Sequence, residues 1–296
     1  MTETGLREEI CRLGRSLFER GLTPGSSGNI SAKLDDGWLV TPTNASLGSL
    51  DPARLSRLDA QGRLVSGDAP TKEVPLHTAL YQTRGAARAV VHLHSTHSVA
   101  LSMLPEIDPR AALPPMTAYY LMKCGATALV PYYRPGDPAV ADAIKGLAGK
   151  YASVLLANHG PVVAGESLEA AVFAIEELEE TAKLYLLLRG LNPRYLTPEQ
   201  IADLSKTFGL ALAEHSHDDT LRCGRGYPAA SARTSSTNPP PAPASENVDL
   251  ARAAADRVLR FLPVPRSRIR PPPVTRPIPP GRDWRAARTN IFRPAP

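Results

Sequence analysis

Proline decides how much of this chain can fold. The sequence has 296 residues and 30 prolines, well above the usual share of about 5%, and the surplus is unevenly placed. Beyond about Ala213 the character changes: 231–245 is Ser, Pro and Ala with few large apolar side chains, and 263–280 alternates Pro with Arg. Such a stretch cannot bury enough apolar surface to offset the entropy of ordering it. The reading is a folded domain over 1–213 and a Pro/Arg/Ser-rich low-complexity extension over 214–296, disordered or extended. Within the extension only Val248 to Leu262 has the composition of a helix.

The formal charge of +5 would suit a nucleic-acid partner, but much of the basic charge sits in the extension. No composition argument for nucleic-acid binding by the folded part remains. Cys11, Cys124 and Cys223 are odd in number, widely spaced and in no C-x-x-C pair. Neither a disulfide framework nor a cysteine metal site is signalled, and a reducing cytoplasm is expected. The first residues are polar and nowhere do 18 apolar residues run together, so the expectation is a soluble, unprocessed chain with no membrane partner.

The folded part reads as mixed α and β. Leu6, Ile10, Leu13 and Leu17 lay a stripe on one helical face, with Gly21 as a stop. After a Gly/Ser loop at 23–28, Asn29 to Lys33 and Trp38 to Thr41 flank the turn-forming Asp35-Asp36-Gly37, a hairpin signal. Strands are predicted over Arg88 to His94, Ala128 to Tyr132, Ser153 to Ala157 and Pro161 to Ala164. Helices are predicted over Val74 to Thr83, Thr96 to Met103, Ala139 to Lys150 and Leu168 to Gly190. This alternation implies an α/β sandwich of about 210 residues.

Chemistry enters with the histidines. On a strand, His92 and His94 point to the same face because side chains alternate with period two. His159 follows the apolar run Val154-Leu155-Leu156 and precedes Gly160, a strand end from which a neighbouring strand could bring it to the pair. Three neutral imidazoles leave a fourth position open on a tetrahedral ion, the catalytic rather than the structural pattern, with zinc the default. H-x-H pairs also arise incidentally on strands, and His97, at helical spacing from His94, is an alternative third member. His77, His215 and His217 read as structural or solvated. Glu73, just before a helix, has the chemistry of a general acid or base, although a first-turn glutamate is also favoured by the helix dipole alone. Backbone N–H groups over Gly25 to Asn29, the Ser26 and Ser27 hydroxyls, Thr41 to Asn44 and Thr71 could cradle a phosphate.

Pro24-Gly25-Ser26-Ser27-Gly28-Asn29-Ile30-Ser31, Val40-Thr41-Pro42-Thr43, Lys72-Glu73, His92-Leu93-His94 and Asn158-His159-Gly160 occur in the order found in one superfamily. In these motifs the chain resembles the class II aldolase and adducin-head superfamily over about residues 4 to 210. The stretches 39–48, 70–74, 92–100 and 130–137 are similar to its 3-oxo-tetronate 4-phosphate decarboxylase branch. The resemblance implies a class II aldolase-like three-layer α/β/α sandwich around a central mixed, largely antiparallel sheet. It implies one Zn2+, or another divalent ion, on His92, His94 and His159, with Glu73 as acid/base and Tyr119 as a proton donor whose placement competes with Tyr120. Gly28, Asn29, Thr43, Asn44 and Thr71 match phosphate-loop positions.

Lys72 departs from the serine that aldolases commonly carry there, and a cation at that point suits a substrate carboxylate. The implied reaction converts a small phosphorylated sugar acid to dihydroxyacetone phosphate and CO2 through a zinc-stabilised enediolate, in a homo-oligomer, a tetramer by resemblance. Aldolases and 4-epimerases of sugar phosphates are the nearest alternative, because an aldolase makes the same enediolate by releasing an aldehyde. A non-catalytic adducin-head-like module and a metal-dependent hydrolase are more distant alternatives.

Overall fold

A computed structural model describes residues 2–147 and 149–210. The proposed extension over 214–296 lies outside the described residues, as do His215 and His217. Eight strands form one sheet: β1 (Asn29–Lys33), β2 (Gly37–Val40), β3 (Ser56–Asp59), β4 (Leu64–Ser66), β5 (Ala89–His92), β6 (Thr127–Val130), β7 (Ser153–Leu156) and β8 (Gly160–Gly165). Their spatial order is β4-β3-β2-β1-β5-β8-β7-β6. Every neighbouring pair is antiparallel except β6 with β7. The sheet is mixed and largely antiparallel, as expected.

Helices cover both faces, and strand alternation decides what each face receives. Ile30, Ala32, Leu39, Ala89, Val91, Leu93, Leu155 and Val163 point to one side. There they meet α1 (Glu3–Glu19), α3 (Thr96–Ser102), α4 (Ala118–Cys124) and α6 (Leu168–Leu188). Val90, Val154, Leu156, Val162 and Ala164 point to the other side, against α2 (Val74–Thr83) and α5 (Ala139–Gly146). The result is a three-layer α/β/α sandwich. Ser167 opens α6 by accepting a hydrogen bond from the Ala170 N–H, and the fully buried Ile175 and Leu178 each contribute about 1.5–3 kcal/mol of apolar burial.

Several elements differ from their predicted extents. The strand predicted to His94 stops at His92, leaving Leu93 and His94 as an extended continuation of it. The helix predicted over Ala139 to Lys150 ends at Gly146, where two glycines lie close together and Gly149 has a positive φ of 73°. Two strands and two α-helices of the described residues went unread: β3, β4, α4 and α7 (Pro198–Phe208). No helix among the described residues is long and apolar enough to cross a membrane.

Candidate metal centre

The sheet delivers the three histidines from two places. β5 ends in His92, and two residues on His94 keeps the same side while Leu93 turns into the opposite core. His159 comes from the tight connection between β7 and β8. Asn158 sits there in the left-handed region with φ 55°, a conformation asparagine tolerates, and the His159 N–H closes the turn on the Leu156 carbonyl at 3.1 Å. Gly160 then passes so close to the end of β5 that a Cβ would lie 2.2 Å from the Leu93 carbonyl oxygen. Glycine is thus required for β8 to press His159 against His94.

The three rings converge. His92 Nε2 lies 3.1 Å from His94 Nε2 and 3.3 Å from His159 Nε2, and one nitrogen from each ring falls within 4.8 Å of the others. His92 is fully buried and its Nδ1 is 2.9 Å from the Pro161 carbonyl. A carbonyl only accepts, so Nδ1 carries the proton and the Nε2 lone pair faces the other rings. Burial and the neighbouring rings push His94 down to about 3 and His159 to about 4. Both are therefore neutral ligands at ordinary pH. Three imidazole lone pairs meeting at one point repel unless a cation sits between them, so the donor set fits a divalent ion.

Glu73 closes the fourth side. It stands at the start of α2, where its side chain makes no capping bond. Instead its two oxygens lie 3.3 Å from His92 Nε2 and 3.3 Å from His159 Nε2. Burial opposes its ionisation, but His92 and a 2.7 Å hydrogen bond from Asn29 Nδ2 outweigh this and hold the carboxyl at about 2. The competing view of Glu73 as a mere first-turn residue leaves these contacts unexplained. Asn29 in turn uses its Oδ1 on His77 Nε2. His77, read from sequence as structural or solvated, is fully buried one residue-pair away from the centre.

His97 does not join the rings. Its Nδ1 donates to Glu179 Oε1 at 2.8 Å, and Glu179 also accepts from the His97 and Ser98 N–H groups and the Ser98 hydroxyl. It is part of the cap of α3. The Gly/Ser loop and the two Thr-bearing loops run together beside Glu73. A Cβ on Gly28 would meet Thr23 Oγ1 at 2.8 Å and the His92 carbonyl at 3.0 Å. Thr43 N–H bonds the Ala69 carbonyl, Thr71 N–H the Thr41 carbonyl, and the Glu73 N–H reaches Thr71 Oγ1 at 3.3 Å. Asn44, exposed and with φ 58°, lies in the same group of loops.

The sequence profile of the Class II Aldolase and Adducin N-terminal domain matches residues 8–186. This chain belongs to that family. Among its relatives, a 3-oxo-tetronate 4-phosphate decarboxylase of Cupriavidus necator is 55% identical over 201 residues, covering 67% of this chain and 93% of that protein. An L-fuculose phosphate aldolase of Haemophilus influenzae is 31% identical over 222 residues, covering 72% of this chain and all of that one. The crystal structure of YgbL from Escherichia coli, described as a candidate aldolase/epimerase/decarboxylase, superposes with a TM-score of 0.67 at 50% identity. It covers 68% of this chain and 98% of YgbL.

In this class II aldolase homologue a hollow borders the histidines, lined by Glu73, His159, Lys72, Tyr133, Arg134 and Asp137 among others. Two cations thus face the cavity that holds the carboxylate and one of the rings. Arg134 carried no signal in the sequence beyond its place in a matched motif, since a lone arginine on a loop is usually solvated. Tyr119 is elsewhere: it sits on α4, 64% exposed, and lines neither hollow beside the histidines. Tyr120, the competing placement, is buried in the core and donates to Thr127 Oγ1 at 3.0 Å.

Proposed function

We propose that this family member is a divalent-metal-dependent decarboxylase that converts a 3-oxo-tetronate 4-phosphate to dihydroxyacetone phosphate and CO2. The observation that carries the reading is the 55% identity to a named decarboxylase over 93% of its length, against 31% to a named aldolase. The ion is proposed to be Zn2+, held by His92, His94 and His159. Bound there it supplies Lewis-acid stabilisation of negative charge developing on the substrate's oxygens.

The chain's own residues account for the rest. When the C1–C2 bond of the substrate breaks, the carboxyl carbon leaves as CO2 and the electron pair stays on C2, conjugated with the C3 carbonyl. The resulting enediolate takes one proton at C2, so each turnover consumes one proton. Glu73 is the proposed group that passes it, being fixed between two rings in the wall of the hollow. Gly28, Thr43, Asn44 and Thr71 are the proposed phosphate site, with Asn29 contributing its second Nδ2 hydrogen while the first remains on Glu73. Lys72 is the proposed partner of the substrate carboxylate, with Arg134 beside it. The carboxylate loses its charge as CO2 forms, so a cation paired to it holds the ground state more tightly than the transition state and serves recognition rather than rate.

Tyr119 is the alternative proton donor. Exposed on α4 and off both hollows, it is proposed to serve the centre of a second copy of the chain. Its surroundings suit a contact: Phe173 is 45% exposed and Lys123 Nζ lies 5.6 Å over the Phe173 ring. A homotetramer is the assembly proposed. The free thiols of Cys11 and Cys124 accord with the cytoplasm as the compartment. A class II aldolase reaction on a sugar phosphate is the second reading, favoured by the full-length match to the Haemophilus influenzae aldolase. Incubating the enzyme with 3-oxo-tetronate 4-phosphate and, separately, L-fuculose phosphate distinguishes them. CO2 and dihydroxyacetone phosphate from the first substrate are expected; aldehyde from the second without CO2 from the first would replace the decarboxylase by the aldolase.

A further inference from the structure

Behind Glu73 runs a line of buried polar side chains that the proposed chemistry does not use directly. Asn29 Nδ2 donates to Glu73 Oε2 at 2.7 Å, Asn29 Oδ1 meets His77 Nε2 at 2.5 Å, His77 Nδ1 meets Ser31 Oγ at 2.7 Å, and Ser31 Oγ meets the Tyr81 hydroxyl at 2.8 Å. We propose that His77 is a positioning residue: with its Nε2–H directed at the Asn29 oxygen and its ring anchored by Ser31, it fixes the Asn29 amide so that its N–H2 end always faces Glu73.

The directions follow from what each atom can do. An ionised carboxylate only accepts, so Asn29 must turn its N–H2 group toward Glu73 and its oxygen toward His77. That oxygen only accepts, so His77 carries its proton on Nε2. The bare Nδ1 then accepts from the Ser31 hydroxyl, whose oxygen is free to accept from Tyr81. Each bond points toward Glu73 and none can reverse alone. Packing holds the ring as well: Trp38 stacks on His77 with centroids 6.4 Å apart and planes 17° from parallel, and meets Tyr81 edge-on at 5.7 Å. A side-chain amide does not conduct protons, so the line orients Glu73 without feeding it. The proton that Glu73 handles is exchanged on the side of the hollow alone.

This inference rests on Glu73 as the acid/base, and the two are separable. The test compares kcat, KM, bound divalent ion and Tm of the holoenzyme with those of Glu73→Gln, His77→Phe, His77→Gln and Ser31→Ala. His77→Phe is expected to lower kcat about tenfold to a hundredfold, the range for a slightly misplaced catalytic group, with KM and bound metal near wild type. His77→Gln restores a donor to Asn29 and is expected to recover much of that loss. Ser31→Ala leaves the His77 Nδ1 without its donor and loosens the ring; it is expected to lower kcat by a smaller factor, and it decides the matter if His77→Phe does not fold. Wild-type kcat in Ser31→Ala, or equal losses in His77→Phe and His77→Gln that follow Tm and bound metal, would overturn the positioning role. Wild-type turnover in Glu73→Gln would instead sink the acid/base reading beneath it.

Discussion

At the scale of single residues, the centre depends on a carboxylate kept ionised where burial alone would protonate it. His92 and Asn29 reverse that tendency and hold Glu73 at about 2. Glu73→Gln keeps the shape and the hydrogen bond from Asn29 but removes the charge and the proton-transfer capacity. It is expected to lower kcat about 10²- to 10⁴-fold while the protein still retains its divalent ion by elemental analysis; loss of the ion together with activity would assign Glu73 to binding instead. His92 and His94 were legible because a period of two is a strand's own signature, and His159 because a glycine marked the strand end. His77 was not legible. Its role comes from Asn29 and Ser31, 48 and 46 positions away, and no local pattern encodes such a pairing. His97 was open for the same reason, since its partner Glu179 lies 82 positions on.

At the scale of elements, two packing contacts set the rings. The first is the passage of β8 across the end of β5, where Gly160 leaves no room for a side chain beside Leu93. Gly160→Ala is expected to lose about 1–3 kcal/mol by overpacking, read as a lower Tm, and to weaken divalent-ion binding by pushing His159 away from His94; normal metal affinity would show that the turn adapts. The second is the α6 carboxylate of Glu179 at the start of α3. Burial opposes its charge, but hydrogen bonds from the Ser98 hydroxyl and from the His97 and Ser98 N–H groups outweigh it and lower its pKa below the usual 4.5. A depressed folded-state pKa contributes stability above about 4.5 that fades as pH falls through the folded value. Glu179→Gln is therefore expected to be less stable at pH 7 by about 1.5–3 kcal/mol, with the gap narrowing below pH 4.5; a gap independent of pH would contradict the ionised cap. Elements with long apolar stripes, such as α1 and α6, could be read directly. β3 and β4 are four and three residues long, too short to show a period, and α7 buries no residue fully and opens on a Thr197–Gln200 capping box that was not read.

At the scale of the molecule, the class of fold was legible and the order of strands was not. Alternating helical and strand patterns imply layers, but nothing in residues 29–33 announces that β1 will lie between β2 and β5, or that β8 will separate β5 from β7. That order alone brings residue 159 beside residues 92 and 94. A motif resemblance supplied what periodicity could not. If Tyr119 serves the centre of another copy, Tyr119→Phe and Glu73→Gln each lower activity alone, and co-refolded mixtures recover part of it through hybrid oligomers; mixtures no more active than their components would place any role of Tyr119 within its own chain or nowhere.

Three imidazoles holding an ion that the reaction needs are the core of the proposed function. The most direct test is CO2 release from 3-oxo-tetronate 4-phosphate by the 296-residue chain, measured before chelation, after it, and after Zn2+ is restored. Release that stops on chelation and returns with Zn2+ is the predicted result; release that continues undiminished in the chelated protein would contradict it.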